Sequence, residues 1–183
     1  MRIQCSSAGG SISLGNLPPE FFEGESTGEI IYSGPGAGDI EGSTGNDTVY
    51  WSSGDGTENI DGGEGFDALE VSLGTGPSAN MQVSANAEGE IILLSDDGST
   101  VTVDGIEDLI FNAAPGGSTI TIGDLTGTDI AQDTIFFHGD EGDDTFDGSA
   151  AGQNIEAFGN GGDDSLTSGS GNDSLYGGDG SDL

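Results

Sequence analysis

Basic residues are all but missing. Across 183 residues the chain has one Lys/Arg side chain, Arg2, against 34 Asp and Glu, for a formal net charge of -33. A nucleic-acid or acidic-membrane partner is thereby excluded, because no Lys/Arg patch exists to meet phosphates. Cys5 is the one cysteine, so no intramolecular disulfide and no cysteine-based zinc site can form. The opening residues, MRIQCSSAGGSISLGNL, lack the apolar run of a Sec signal peptide. No run reaches transmembrane length, so membrane insertion is not expected. Catalytic signatures are lacking as well: there is no HExxH, no GxSxG, no lysine, and no histidine besides His138. His138 follows an apolar run and reads as a strand-end residue. Paired carboxylates abound, but glycosidase chemistry needs them in a sugar cleft. Catalysis within this chain is not expected.

Glycine and acid are what remain in excess. The 36 glycines cost backbone entropy unless special geometry requires them. Low hydrophobicity with high net charge is also a signature of disorder. Either the chain is disordered or something cationic enters the structure.

Internal repetition favours the second alternative. The pattern glycine, glycine, any, glycine, any, aspartate, any, apolar, any appears as GSTGNDTVY at 42–50, GGEGFDALE at 62–70, GDEGDDTFD at 139–147, GNGGDDSLT at 159–167 and SGSGNDSLY at 168–176. A cut copy, GGDGSDL, closes the chain at 177–183. Two eleven-residue turns, WSSGDGTENID at 51–61 and GSAAGQNIEAF at 148–158, each sit between two good copies, and SGPGAGDIE at 33–41 leads into the first block with Ile40 in register.

The apolar position of each copy (Val49, Leu69, Phe146, Leu166, Leu175) is flanked by small or polar residues. That predicts a very short strand with one side chain pointing inward. The six residues before it turn the chain, with glycine supplying conformations that other residues avoid. Nine residues then make a half-turn and two copies one coil, which buries an apolar column only when stacked. On that geometry Asp47 stacks near Asp67 and Asp144 near Asp164, each pair twenty residues apart, and Asp164 near Asp182, eighteen apart. Carboxylates on strands about 4.8 Å apart repel. A divalent cation between them reverses the sign of the interaction, with bare turn carbonyls completing an oxygen shell. An all-oxygen donor set favours a hard metal, and calcium accepts six to eight oxygens in loose geometry where magnesium demands a tight octahedron.

These copies resemble the calcium-binding nonapeptide of the RTX (repeats-in-toxin) family of bacterial secreted proteins, closely at 42–50, 62–70 and 139–183 and more loosely over 33–70. The resemblance implies an all-β fold, a parallel β-roll (β-solenoid) with a β-rich insertion or sheet extension between two repeat blocks. It implies calcium ions as cofactor, secretion from a Gram-negative bacterium by a type I (ABC transporter) apparatus, and folding on meeting external calcium. The family's aspartate ligand maps to Asp47, Asp67, Asp144, Asp164, Asp173 and Asp182. Its carbonyl ligands map to the turns from Gly42 to Gly45, Gly62 to Gly65, Gly139 to Gly142, Gly159 to Gly162 and Gly177 to Gly180. Asn46, Asp143, Asp163 and Asn172 read as solvated turn formers. Glu58 and Ile155 stand where the eleven-residue turns should carry aspartate, so calcium sites on that edge are not expected, including any pairing of Asp173 with the 148–158 turn.

The expected organisation is an N-terminal cap or linker at 1–32, a first repeat block at 33–70, a β-rich interruption at 71–138 and a second block at 139–183 that stops inside a repeat and reads as truncated. Within the interruption, EIILLSDDGSTVTVDG at 90–105 predicts a hairpin about its Asp-Asp-Gly turn. LIFN at 109–112, STITIG at 118–123 and DTIFFH at 133–138 predict further strands, and TGTD at 126–129 resembles a decayed repeat turn with Asp129 a candidate ligand. Phe21 and Phe22 are expected to cover the open end of the roll. The function implied is a calcium-binding module that folds outside the cell and serves secretion, stability or spacing. The alternatives are part of a calcium-dependent adhesin, including an ice-binding variant suggested by the threonine pairs in STVTV and STITI, or the repeat module of a secreted enzyme or toxin. No motif points to a macromolecular target.

Overall fold

The computed structural model describes residues 28–183 except 37, 75, 77 and 78, together with the segments 3–4, 11–13 and 22–23. Phe21 lies outside these residues, as does most of 1–27 and the side chain of Phe22.

The described chain is almost entirely strand. In chain order the strands are β1 (Ile3–Gln4), β2 (Ser11–Ser13), β3 (Phe22–Glu23), β4 (Ile30–Tyr32), β5 (Gly38–Glu41), β6 (Thr48–Ser52), β7 (Glu58–Asp61), β8 (Ala68–Ser72) and β9 (Ala79–Ala85). They continue as β10 (Ile91–Ser95), β11 (Thr100–Asp104), β12 (Asp108–Asn112), β13 (Ser118–Ile122), β14 (Thr134–His138), β15 (Thr145–Asp147), β16 (Asn154–Gly161), β17 (Ser165–Thr167) and β18 (Ser174–Asp179). One 3-10 turn, Asp129–Gln132, is the sole helical element among the described residues.

Apart from β9–β11, which lie together in one sheet, successive strands alternate between two sheets. One has ten strands in the order β1-β3-β5-β7-β11-β10-β9-β13-β15-β17, the other eight in the order β18-β16-β14-β12-β8-β6-β4-β2. Every strand but β10 pairs in parallel with the equivalent strand one coil away, for example Val49 with Leu69 and Phe146 with Leu166. The fold is a parallel β-roll. Two kinds of turn close it: those that carry the chain from the ten-stranded into the eight-stranded sheet form one edge, called near, and those that return it form the far edge.

Period-two alternation explains the core. β6 and β8 bury Val49, Trp51, Leu69 and Val71 while their neighbours face outward. Parallel pairing then stacks the buried residues into columns: Ile31, Val49, Leu69, Leu109, Ile135 and Ile155 along the eight-stranded sheet, and Trp51, Val71, Phe111, Phe137 and Ala157 beside it. Each fully buried side chain of this size contributes roughly 1.5–3 kcal/mol relative to exposure, but one coil owns only a few, so stability comes from stacking.

The 71–138 interruption extends the roll. β10 runs antiparallel to both neighbours, pairing Ile91 with Val103 on β11 and with Ala85 on β9. β11 then rejoins β7 in parallel and β13 joins β9 in parallel. The hairpin expected at 90–105 is therefore formed, and β9 adds a third strand to it. The eight-stranded sheet crosses the same stretch with β12 alone, seated between β8 and β14. Leu175, expected to point inward, is 38% exposed: it lies on β18, the edge strand of its sheet, where no further rung covers it.

Candidate metal centre

The aspartates of the repeat come together in ladders, and the hydrogen bonding within them is directional. Asp47 Oδ1 accepts from the backbone N–H of Glu29 at 2.6 Å, Asp67 Oδ1 from the N–H of Asp47 at 2.6 Å, and Glu107 Oε2 from the N–H of Asp67 at 2.7 Å. A second ladder runs from Ser118, whose N–H donates to Asp144 Oδ1 at 2.6 Å, through Asp144 N–H to Asp164 Oδ1 at 2.8 Å, to Asp164 N–H and Asp182 Oδ1 at 3.1 Å. The expected pairs, Asp47 with Asp67, Asp144 with Asp164 and Asp164 with Asp182, are all neighbours. The first ladder lies on the near edge and the second on the far edge. From Asp67 to Asp144 the chain crosses the roll an odd number of times, through β8, the β9–β11 unit, β12, β13 and β14, and so changes side.

The second oxygen of each carboxylate decides what the ladder can hold. Oδ2 of Asp47, Asp67 and Asp164 is buried and receives no hydrogen bond. Asp144 Oδ2 accepts from the Asp140 N–H at 3.1 Å. These oxygens point at the first glycine of their own turn: a Cβ on Gly42 would lie 2.6 Å from Asp47 Oδ2, one on Gly62 2.8 Å from Asp67 Oδ2, and one on Gly139 2.7 Å from Asp144 Oδ2. Gly159 and Gly177 approach Asp164 Oδ2 and Asp182 Oδ2 in the same way. Glycine is required here because the space beside the carboxylate must stay open.

Turn backbones also press on one another from coil to coil. Gly42 stacks on Gly62, Gly65 on Gly45, Gly139 on Gly159 and Gly159 on Gly177, each with room for no side chain against the neighbour's carbonyl oxygen. The third-glycine column is equally tight, Gly162 standing against the carbonyl of Gly142 and Gly180 against that of Gly162. At Gly162 the φ of 113° adds a backbone reason for glycine. The rungs of Asp47, Asp67 and Asp164 thus present a bare carboxylate oxygen beside the stacked turn carbonyls.

The electrostatics follow from this burial. Burial, opposed by the Glu29 N–H and reinforced by the Glu29 and Asp67 charges, pushes the Asp47 carboxyl up to about 6. Burial likewise raises Asp67, Asp144 and Asp164, and the backbone N–H each accepts pulls the other way. No Lys or Arg is present among the described residues to offset the negative charge.

Asp173 differs. Its Oδ1 accepts from the Ile155 N–H at 3.0 Å, which keeps the cap, but the rung it stacks on supplies isoleucine instead of a second carboxylate. Asp129 is not in a ladder; its Oδ2 accepts from the Gly105 N–H at 3.0 Å. His138 ends β14, with Nδ1 3.2 Å from Asn112 Oδ1.

Three features were missed from spacing alone. Asn46, Asp143 and Asp163 are exposed yet bonded: Asn46 Oδ1 accepts from Phe66 N–H at 3.2 Å, Asp143 Oδ1 from Asp163 N–H at 2.8 Å, and Asp163 Oδ1 from Ser181 N–H at 3.0 Å. Asn172 N–H donates to Asn154 Oδ1 at 2.9 Å. This outer ladder reaches forward to the next coil while the inner one reaches back, so adjacent turns exchange bonds. Glu29 and Glu107 belong to the near-edge ladder too, and the signal for both was position, two residues before the core residues Ile31 and Leu109.

Among the described residues no three Asp, Glu, His or Cys side chains converge on one point. A cation held by these turns would therefore take two carboxylates at most and draw its other oxygens from the backbone, a donor set that fits calcium. The family described as RTX calcium-binding nonapeptide repeat matches in four copies, over residues 32–50, 136–151 and 157–183. Those residues carry RTX repeats. RTX repeats bind calcium, wind into β-rolls and occur generally in secreted proteins of Gram-negative bacteria; they are structural rather than catalytic modules. Residues 62–70 fall outside the RTX match, yet their turn reproduces the geometry of 42–50. No curated protein sequence matches the chain.

Proposed function

We propose that this chain is a calcium-operated folding element, extended where calcium is scarce and wound into its roll where calcium is plentiful. The carrying observation is the set of buried, unbonded Oδ2 atoms of Asp47, Asp67 and Asp164, each facing glycine backbone. In water those oxygens are solvated; wound without a cation they lose that solvation, a cost of roughly 1–3 kcal/mol for each group left unsatisfied and more when charged. The residues that would hold calcium are Asp47 and Asp67 on the near edge and Asp144, Asp164 and Asp182 on the far edge, with carbonyls of the Gly42–Gly45, Gly62–Gly65, Gly139–Gly142, Gly159–Gly162 and Gly177–Gly180 turns. Bound calcium supplies positive charge between stacked carboxylates and a fixed oxygen cage, so that binding free energy becomes folding free energy. Asp173, stacked on Ile155, contributes one carboxylate to any such cage.

This coupling suits passage through a type I exporter. A chain at -33 repels itself while calcium is low, which keeps it extended, and it winds on emerging into a calcium-rich medium. Its role is then to drive export, stabilise or space the protein that bears it. Circular dichroism during a calcium titration tests the reading: a coil-to-β transition reversed by chelator is expected, and a spectrum indifferent to both would overturn it.

A further inference from the structure

The far-edge turns of the first block hold a pair of acids that neither ladder uses. Turns 33–36 and 53–57 lead the chain back toward β5 and β7, and residues 51–61 lie outside the family match. Glu58 opens β7 two residues before the core residue Ile60, the place that Asp144 takes before Phe146. It is 1% exposed, and neither of its carboxylate oxygens receives a hydrogen bond. Its rung neighbours are Gly38, which has no side chain, and Val101, which has only an apolar one.

The charge that acts on Glu58 is Asp55. Asp55 Oδ2 accepts from Ser33 Oγ at 3.0 Å and from Ser52 N–H at 2.9 Å. Ser33 is close enough to Glu58 to favour its ionised form, but its single hydroxyl proton is given to Asp55. Around the pair the two turns are zipped: Gly36 N–H donates to the Asp55 carbonyl at 2.6 Å, and a Cβ on Gly56 would lie 2.8 Å from the Gly36 carbonyl oxygen. The two turns thus lie backbone against backbone, with the Asp55 side chain tied to both through Ser33 and Ser52.

A buried carboxylate needs a partner, and no described basic residue is present to provide one. A proton answers only part of the need, because a carboxylic acid adds a donor that itself needs an acceptor while the other oxygen stays bare. A divalent cation engages both oxygens at once. In the ladders two stacked rungs each give an aspartate; here the adjacent rung is Gly38, and the second acid comes from three residues earlier in the same turn. Glutamate's extra methylene extends the reach that this arrangement requires.

We propose that the turn pair 33–36 and 53–57 binds a further calcium-type cation through Glu58 and Asp55 with surrounding turn oxygens, a site built on a second acid of the same turn instead of on two stacked aspartates. The proposal rests on the calcium-driven folding reading above, and the experiment separates the two. Native mass spectrometry of the whole chain counts calcium ions at saturation for the parent, Glu58→Gln and Asp55→Asn. Both variants keep side-chain volume and a hydrogen-bond acceptor. Each is expected to lose one ion while retaining the coil-to-β transition. Terbium luminescence sensitised by Trp51, the one tryptophan, next to Ser52 of this turn, is expected to fall in both variants. An unchanged ion count in Glu58→Gln, with winding at lower calcium than the parent, assigns Glu58 to a proton and overturns the site. If Glu58→Gln fails to wind at all, a full count in Asp55→Asn overturns it. A parent that binds no calcium overturns the folding reading itself, a result distinct from either.

Discussion

The two repeat blocks use the same nonapeptide and place its aspartates on opposite edges of the roll. In the first block the ladder occupies the near edge and, among the described residues, runs from Glu29 through Asp47 and Asp67 to Glu107; in the second it occupies the far edge and runs from Ser118 through Asp144 and Asp164 to Asp182. Each block's other edge is the imperfect one: Glu58 over Gly38 in the first, Asp173 over Ile155 in the second. What a turn binds is therefore set by which two rungs meet there, and a nine-residue motif read alone does not specify that. Dividing the charge between two edges also separates the ladders by the width of the roll, which lowers their mutual repulsion.

The sharpest way to break the comparison is to close one turn. A Cβ on Gly62 would lie 2.8 Å from Asp67 Oδ2 and overlap the Gly105 carbonyl, whereas one on Gly152, in the second block's near-edge turn, meets nothing nearer than Ser170 Oγ at 4.0 Å. Gly62→Ala is expected to destabilise the calcium-loaded roll by about 3 kcal/mol, and Gly152→Ala to change it by less than about 1 kcal/mol, in urea denaturation.

Next in size are the carboxylates. Asp67→Asn and Asp164→Asn keep the acceptor for the neighbouring N–H and remove the charge, so each is expected to weaken the calcium midpoint about tenfold or more, about 1.4 kcal/mol. Asp173→Asn, with isoleucine on the facing rung, is expected to move that midpoint far less. Calorimetric calcium titration compares the three, and equal effects would erase the distinction between complete and incomplete edges.

The mildest test uses protons in the presence of chelator. Burial, then the Asp55 charge, raises Glu58 from 4.5 to about 8, and burial raises Asp47 from 3.8 to about 6. The folded chain then holds protons that the unfolded chain has released, so this stability is full below about pH 4 and is lost as pH rises through 6 for Asp47 and 8 for Glu58. The wound fraction that remains in chelator, read by circular dichroism, should be larger at pH 5 than at pH 8, and Glu58→Gln should flatten the upper part of that fall.

Much of this was legible in the spacing. The all-β roll, the pairs Asp47 with Asp67 and Asp144 with Asp164, and the strands at 109–112, 118–122 and 134–138 follow from repeat period and apolar register, which are local. The change of edge was not legible, because it depends on how many times 71–138 crosses the roll, and only pairing shows that the β9–β11 segment counts as one crossing. Asn46, Asp143 and Asp163 read as solvated because polar residues in turns usually are; their bonds go to a coil eighteen or twenty residues away and leave no local trace. Leu175 obeyed the pattern but lies on the edge strand β18, and pattern carries no information about a strand's place in its sheet.

The reversed strand β10 has one further consequence. Coils built from near-identical sequence can slip past one another by a whole coil and still match apolar to apolar, as weakly distinguished strands do. A misthreaded alignment of that kind cannot seat a strand running the opposite way, since β10 fits only between β9 and β11. The hairpin thus works as an alignment key, allowing one threading of the repeats on either side of it.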